Sequence, residues 1–361
     1  MRRSWTALSG AVSALAIGTL AAGVLVSAAN PAAAWPNQQC PIGGKTYVVQ
    51  PGMSGEQLGR TMTDLQRGDT LRLAPGVYNV GKMTVYACHA DPANRITITA
   101  LDPANPPLLR GWWYLLSPDY WTVSNVRVEA TLRGQGAMHI AGGVGWAIDG
   151  VELFGAGNTV GYGTLALNGN NGAGPRDFAV VNSCIHDGAP ARGAAGYHGI
   201  YASAVGTGGR ASGLIADNVI FNYPGGAGIK LGAGGARGAV GPWNIRVEHN
   251  TIFDSGFGVL LHGRLNAESV TGNLMGNFRR MAGNTYRGSR SSAIYAHELQ
   301  GRGNVVAGNY FYKTDMVLRL TGTGRPTIAR SNVRGPVPAF AGSGCGTKVA
   351  GGRALGYGRR G

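Results

Sequence analysis

The chain has 361 residues, 62 of them glycine, and a formal net charge of +15 at neutral pH. Glycine at this level with no three-residue period excludes collagen, and the frequency of Val, Ile and Leu excludes a disordered chain. What remains is a fold of many short strands and tight turns, basic enough to favour polyanionic partners.

The chain opens with Arg2 and Arg3, followed by an apolar, small-residue run from Ala7 to Ala29 and then Pro31-Ala32-Ala33-Ala34. A basic start, an apolar stretch and an Ala-x-Ala end are the pattern of a secretory signal peptide cut after Ala34. The expected mature protein is therefore secreted and extracellular, has no membrane span and is monomeric. Nucleic acid is not an expected partner outside the cell.

Ser54 to Gln66 reads as a short amphipathic helix that caps the N-terminal end. Gly68-Asp69-Thr70-Leu71-Arg72-Leu73-Ala74-Pro75-Gly76-Val77-Tyr78 follows and opens the first coil. Beyond it a loose repeat runs along the chain. Its versions include Ile215 to Asn222, Val247 to Asp254, Val270 to Asn277 and Val306 to Lys313. Earlier relatives are Val123 to Val126, Ile148 to Val151 and Val181 to Cys184. Each is two short strands joined by a tight turn. Asn218, Asn250, Asn273 and Asn309 share one turn position, where asparagine tolerates left-handed backbone. Stacked on one another, their amides can hydrogen-bond along a ladder.

A second strand family alternates with the first. It comprises Ala137–Ala141, Thr164–Asn168, Gly199–Ser203, Gly228–Gly232, Gly258–His262, Ala293–His297 and Val317–Thr321. Leu231, Leu261, Ala296 and Leu320 occupy corresponding core positions, one coil of three strands apart. A single coil cannot bury its apolar face alone, so stacking closes the core. This predicts an all-β, single-stranded right-handed parallel β-helix over residues 35–330. Residues 331–361 form a C-terminal cap segment, from Ser331 to Phe340, and a basic, glycine-rich tail from Arg353 to Gly361.

The four cysteines, Cys40, Cys88, Cys184 and Cys345, match no zinc-binding spacing. Export permits disulfides. Of the three possible pairings, Cys40 with Cys88 is favoured, because both lie near the N-terminal end. Cys184 falls within a strand and reads as a buried thiol.

The cap helix, the Gly68–Tyr78 segment and the Ile96-Thr97-Ile98-Thr99-Ala100 strand resemble the entry to pectate-lyase-like β-helix proteins. The similarity covers most of residues 45 to 322 as architecture. It implies a fold that hosts lyases, hydrolases, epimerases and non-catalytic proteins. In that family substrates lie across the second strand family. Side chains alternate along each strand. Ile200, Ile229, Val259, Ile294 and Leu318 facing inward send Tyr201, Lys230, Leu260, Tyr295 and Arg319 outward. A second outward column holds Ser203, Gly232, His262, His297 and Thr321.

With coils about 4.8 Å apart, Tyr201, Lys230, His262, Tyr295 and His297 form one candidate catalytic patch. Tyr197 and His198 enter it from a loop. His139 and Asn168 project from earlier coils and lie at its edge. Neither column holds a carboxylate, and Glu298 stands beside the patch. Glycoside hydrolysis needs two flanking carboxylates, and calcium needs several oxygen ligands. No such cluster is recognised, so no metal or cofactor is assigned.

Lys, His, Tyr and Arg suffice instead for β-elimination of a polyuronide, in which a base removes the proton beside the carboxylate and an acid protonates the departing oxygen. Ile229-Lys230-Leu231 and Gly258 to Gly263 resemble the lysine and Arg-His-Gly segments of alginate-lyase and chondroitinase-B-type lyases. The resemblance implies Lys230 as catalytic lysine and His262-Gly263 as the His-Gly pair, with Leu261 in the arginine position. Arg264 could substitute. Arg279, Arg280, Arg287 and Arg290 form a basic loop suited to carboxylate recognition, and Arg280, Arg287 and Arg319 are counted with Arg264, His198 and Tyr197 as substrate-binding. The leading expectation is a lyase on an acidic polysaccharide or cell-wall glycan. A non-catalytic glycan-binding or cell-surface protein is second, and a glycoside hydrolase third.

Overall fold

A buried column of asparagine amides joins successive coils. Asn218 Nδ2 donates to Asn250 Oδ1 at 2.9 Å, Asn250 to Asn273 at 3.0 Å, Asn273 to Asn309 at 2.9 Å and Asn309 to Asn332 at 2.9 Å. Each amide also satisfies a backbone carbonyl of the preceding strand, as Asn250 does with Ile215 at 2.9 Å. The expected ladder is present and runs one rung further, to Asn332. Ser183 heads it, with its backbone N–H donating to Asn218 Oδ1. That places Val180, not Val181, level with Ile148 and Ile215. The repeat in this coil starts one residue earlier than the sequence pattern suggested, because Ser183 rather than an asparagine holds the turn.

The computed structural model describes residues 39–155, 163–170, 173–188, 196–203, 212–232, 244–278 and 291–336, Cys345, and the strands Lys348–Val349 and Arg353–Ala354. Two parallel sheets run the length of the coil stack. One has eleven strands in the chain order Thr46–Val49, Thr70–Leu73, Ile96–Ala100, Trp121–Ser124, Ala147–Asp149, Phe178–Val181, Gly213–Ala216, Ile245–Glu248, Ser269–Thr271, Val305–Ala307 and Thr327–Ile328. The other, of fifteen strands, carries the remaining two walls. Those walls merge because several strands, such as Val219–Leu231 and Thr251–His262, pass through the corner unbroken. The chain is a parallel β-helix. Its core is a continuous stack of Ile, Val, Leu and aromatic side chains, including Ile200, Ile229, Val259 and Ile294 at 0% exposure.

The N-terminal helix spans Gly55–Thr63, shorter than the expected Ser54–Gln66. Ser54 caps it, and Gln57 closes a capping box. Leu58 and Met62 are fully buried beneath it. Gly55 and Gly59 explain its close seat on the strand Val77–Tyr86. A Cβ on Gly55 would lie 1.8 Å from the Val80 carbonyl oxygen, and one on Gly59 2.7 Å from that of Thr84.

Cys40 is bonded to Cys88, as expected. Cys184 is not a buried thiol: it is bonded to Cys345, 161 residues away. Its side chain points outward from its strand, where the C-terminal segment can reach it. Leu320, expected in the core, is 36% exposed; among the described residues its strand Met316–Leu320 pairs on one side alone, with Ser292–His297. Val333–Arg334 adds one further strand at that end, and residues 337–340 lie outside the described residues. Arg353–Ala354, expected in a tail, pairs antiparallel with Lys348–Val349. The signal segment lies outside the described residues, and among the described residues no helix is long and apolar enough to cross a membrane.

Candidate active site

Register places the candidate residues. Tyr201 pairs with Lys230, Lys230 with Leu260, Leu260 with Tyr295 and Tyr295 with Arg319. One pleat further along, His262 pairs with His297. Their inward neighbours, Ile229, Leu231 and Leu261, belong to the core. Alternation therefore turns Lys230 and His262 outward, as the sequence pattern requires. Leu261, the position matched to the lyase arginine, is 1% exposed in the core and level with Leu231 and Ala296. An arginine could not reach the patch from there. The outward residue at that level is Leu260.

The outward patch is largely enclosed. Lys230 is 8% exposed and His262 7%. The Lys230 ammonium lies 4.3 Å from the centre of the Tyr201 ring. Burial brings the Lys230 pKa down to about 8. Burial first, then the charges of Lys230 and His297, push His262 down to about 3. His198 falls well below its ordinary value for the same first reason, aided by Lys230 and His262. Both imidazoles are neutral at pH 7. His198 Nδ1 accepts from the Ala227 backbone N–H at 3.0 Å, so its proton sits on Nε2. Among the described residues, that nitrogen and His262 Nδ1 are buried with no hydrogen-bond partner. Two buried imidazole nitrogens beside a neutralisable amine give this part of the face polar groups able to contact a ligand.

The remaining expected residues divide. Tyr201 is half-buried and borders Lys230. His297 stands 4.6 Å from His262, ring centre to ring centre. Tyr295 is 2% exposed. Its ring is packed by Phe257 at 4.9 Å and by the Arg319 guanidinium at 4.8 Å, so it cannot serve as a sugar-stacking platform. Its hydroxyl lies 2.9 Å from His297 Nδ1. Tyr197 does not enter the patch. It is a core residue, 1% exposed and stacked near Tyr223. Arg264 is an exposed turn residue. Arg279, Arg280, Arg287 and Arg290 lie outside the described residues.

Two features escaped the sequence reading. Upstream on the same outward column, Tyr114 and His139 are in register with Ala166 and Tyr201. Trp112 stacks on Tyr114 at 5.1 Å, and Tyr114 packs at a tilt against His139 at 4.6 Å, forming an aromatic strip. On another wall Phe154, His186, Phe221 and Phe253 form a continuous ring stack at 5.3, 4.9 and 5.0 Å. The signal for this stack was present: each ring follows the apolar residue of the repeat and precedes Gly155, Asp187, Asn222 or Asp254.

β-Helix lyases suggest calcium, but the donors on this face do not fit it. Calcium takes about 6 to 8 oxygen ligands. Among the described residues the patch offers imidazoles, an amine and the single carboxylate of Glu298.

No protein-family model matches the chain, and no curated protein matches it. Among solved structures it is similar to XylC in complex with xylose, at 11% identity and a TM-score of 0.51, covering 76% of this chain and 70% of that one. It is also similar to an alginate lyase from Paenibacillus sp. str. FPU-7, at 14% identity and a TM-score of 0.42, covering 81% and 96%. Pectate lyase Pel9A matches at 17% identity and 0.38, covering 80% and 79%. Likeness at this level concerns the fold alone.

Proposed function

We propose that the protein is exported, folds as a single-stranded right-handed coil, and cleaves an acidic polysaccharide by β-elimination. Handedness follows from the strong preference of parallel crossovers. The solved structures of similar fold bear on the fold, so the reaction rests on the site. The observation that carries it is Lys230: an amine on the outward face, its pKa near 8, with no ion-paired carboxylate among the described residues.

In this reading the neutral Lys230 amine takes the proton beside the uronate carboxylate. The carbon–oxygen bond to the leaving sugar breaks, and a carbon–carbon double bond forms. The Tyr201 hydroxyl protonates the departing oxygen and regains its proton from the Lys230 ammonium. That ammonium rests against the Tyr201 ring, which stabilises it while it is charged. The neutral imidazoles of His198 and His262 present N–H donors to the uronate carboxylate and so favour its enolate form.

A second reading, glycan binding without turnover, is supported by Leu260. It occupies the outward position between Lys230 and Tyr295, where a cation would stabilise the enolate. Incubation with alginate, pectate, heparinoids and chondroitins separates the readings. Elimination gives a new ultraviolet absorbance from the unsaturated sugar end. New reducing ends without that absorbance indicate hydrolysis. Retention on a glycan column with neither product supports binding alone.

A further inference from the structure

His262 and His297 are the last residues of adjacent strands, and Glu298 follows His297 directly. His262 Nε2 lies 3.8 Å from one Glu298 carboxylate oxygen, and His297 Nε2 lies 3.9 Å from the other. All three ligand atoms are within 4.8 Å of one another. In a tetrahedral zinc site, metal–ligand distances of about 2.05 Å put neighbouring ligand atoms about 3.3 Å apart. The Glu298 side chain is 60% exposed, so its carboxylate is free to rotate closer to the two imidazoles.

The surroundings hold the three donors in place. Thr321 Oγ1 lies 3.0 Å from His297 Nδ1 and accepts the Glu298 backbone N–H at 3.1 Å. The Tyr295 hydroxyl is a second oxygen within 2.9 Å of His297 Nδ1. An imidazole whose Nδ1–H is held by oxygen presents its Nε2 lone pair, the usual arrangement behind a metal-bound histidine. Glu298 has a φ of 48°, while the equivalent turn positions one coil below and above are Gly263 and Gly322, with φ of 79° and 87°. A glutamate therefore stands where neighbouring coils use glycine, in a backbone region that is costly for it.

We propose that His262, His297 and Glu298 bind one divalent transition-metal ion of the zinc class, with its remaining coordination positions open. Two imidazoles and one carboxylate are a zinc-type ligand set and a poor one for calcium. The site rests on this geometry and not on the elimination reading, and its test reads metal binding rather than turnover.

The oxidised mature protein, freed of metal and of any histidine tag, is titrated with Co²⁺ and then with Zn²⁺. One equivalent of Co²⁺ should give a visible absorption band, and Zn²⁺ should displace it. Glu298→Gln and His297→Ala should each weaken Zn²⁺ binding by about tenfold or more. Glu298→Gln replaces an exposed side chain with its isostere, so circular dichroism should be unchanged. The control is His186→Phe, which should leave binding intact. His186 belongs to the other cluster of potential ligand atoms, whose two cysteines are joined in a disulfide. Absence of saturable binding, or binding unaltered by Glu298→Gln and His297→Ala, overturns the proposal.

Discussion

The Lys230 ammonium faces the Tyr201 ring at 4.3 Å and has no carboxylate partner among the described residues. A carboxylate would lock the amine in its charged form. A π face stabilises a desolvated cation by about 2 kcal/mol or more, yet burial still brings the pKa down to about 8, so the neutral amine is within reach of physiological pH.

If Lys230 is the base, turnover should rise with pH through about 8, the pKa at which half of its amine is neutral. Lys230→Arg keeps the charge but supplies no base, and should lower kcat by about 100-fold or more. A pH–rate profile of both proteins on the responsive glycan checks this. An unchanged kcat in Lys230→Arg would remove the lysine from the chemistry.

The same residue should cost stability. Burial lowers its pKa from 10.5 to about 8. The unfolded chain therefore binds the proton more tightly, and this contribution to stability rises with pH between those two values. At pH 7 the penalty is ~3 kcal/mol, at about 1.4 kcal/mol for each pKa step. Lys230→Met should therefore unfold at higher denaturant than wild type at pH 7. The difference should shrink as pH passes from 8 toward 10.5. Equal midpoints at pH 7 would contradict the burial argument.

Asn250 is fully buried and its side chain makes four ladder bonds: it accepts from the Asn218 backbone and side-chain amides, and donates to Ile215 and Asn273. Asn250→Ala removes these bonds and takes from the Asn218 backbone N–H its side-chain acceptor, and each unsatisfied buried group costs about 1 to 3 kcal/mol. Urea unfolding should show a loss of at least ~2 kcal/mol. A loss under ~0.5 kcal/mol would mean that the ladder is ornamental.

His186 should give the fold a pH dependence. Burial lowers its pKa, but hydrogen bonds to Glu152 at 3.1 Å and Asp187 at 2.9 Å outweigh that and raise it overall. Its contribution is therefore complete below the ordinary histidine value and is lost as pH rises through the raised one. His186→Phe keeps the ring stack and removes the charge. Thermal melts across pH 5 to 9 should show wild type losing its relative advantage as pH increases. A constant difference would assign the histidine to stacking alone.

Much of the coil stack was legible along the chain. Alternation in Ile229-Lys230-Leu231 and Leu260-Leu261-His262 placed the columns correctly, because side chains on a strand must alternate and the core must stay apolar. Asn218, Asn250, Asn273 and Asn309 marked the turn by their shared position. Tyr197 was misjudged because residue type shows polarity, but not which surfaces surround a ring. Cys184 was misjudged because its partner lies 161 residues away, a distance that no local pattern spans.

The sequence by itself determined the repeat, the outward position of Lys230 and His262, and the absence of paired carboxylates in their columns. These follow from strand periodicity, which is a local property. Only the tertiary structure decided the pKa of Lys230, the neutral state of His198 and His262, and the meeting of His262 and His297 with Glu298. Desolvation and donor geometry depend on what packs across coils, and the chain discloses that only once it is stacked.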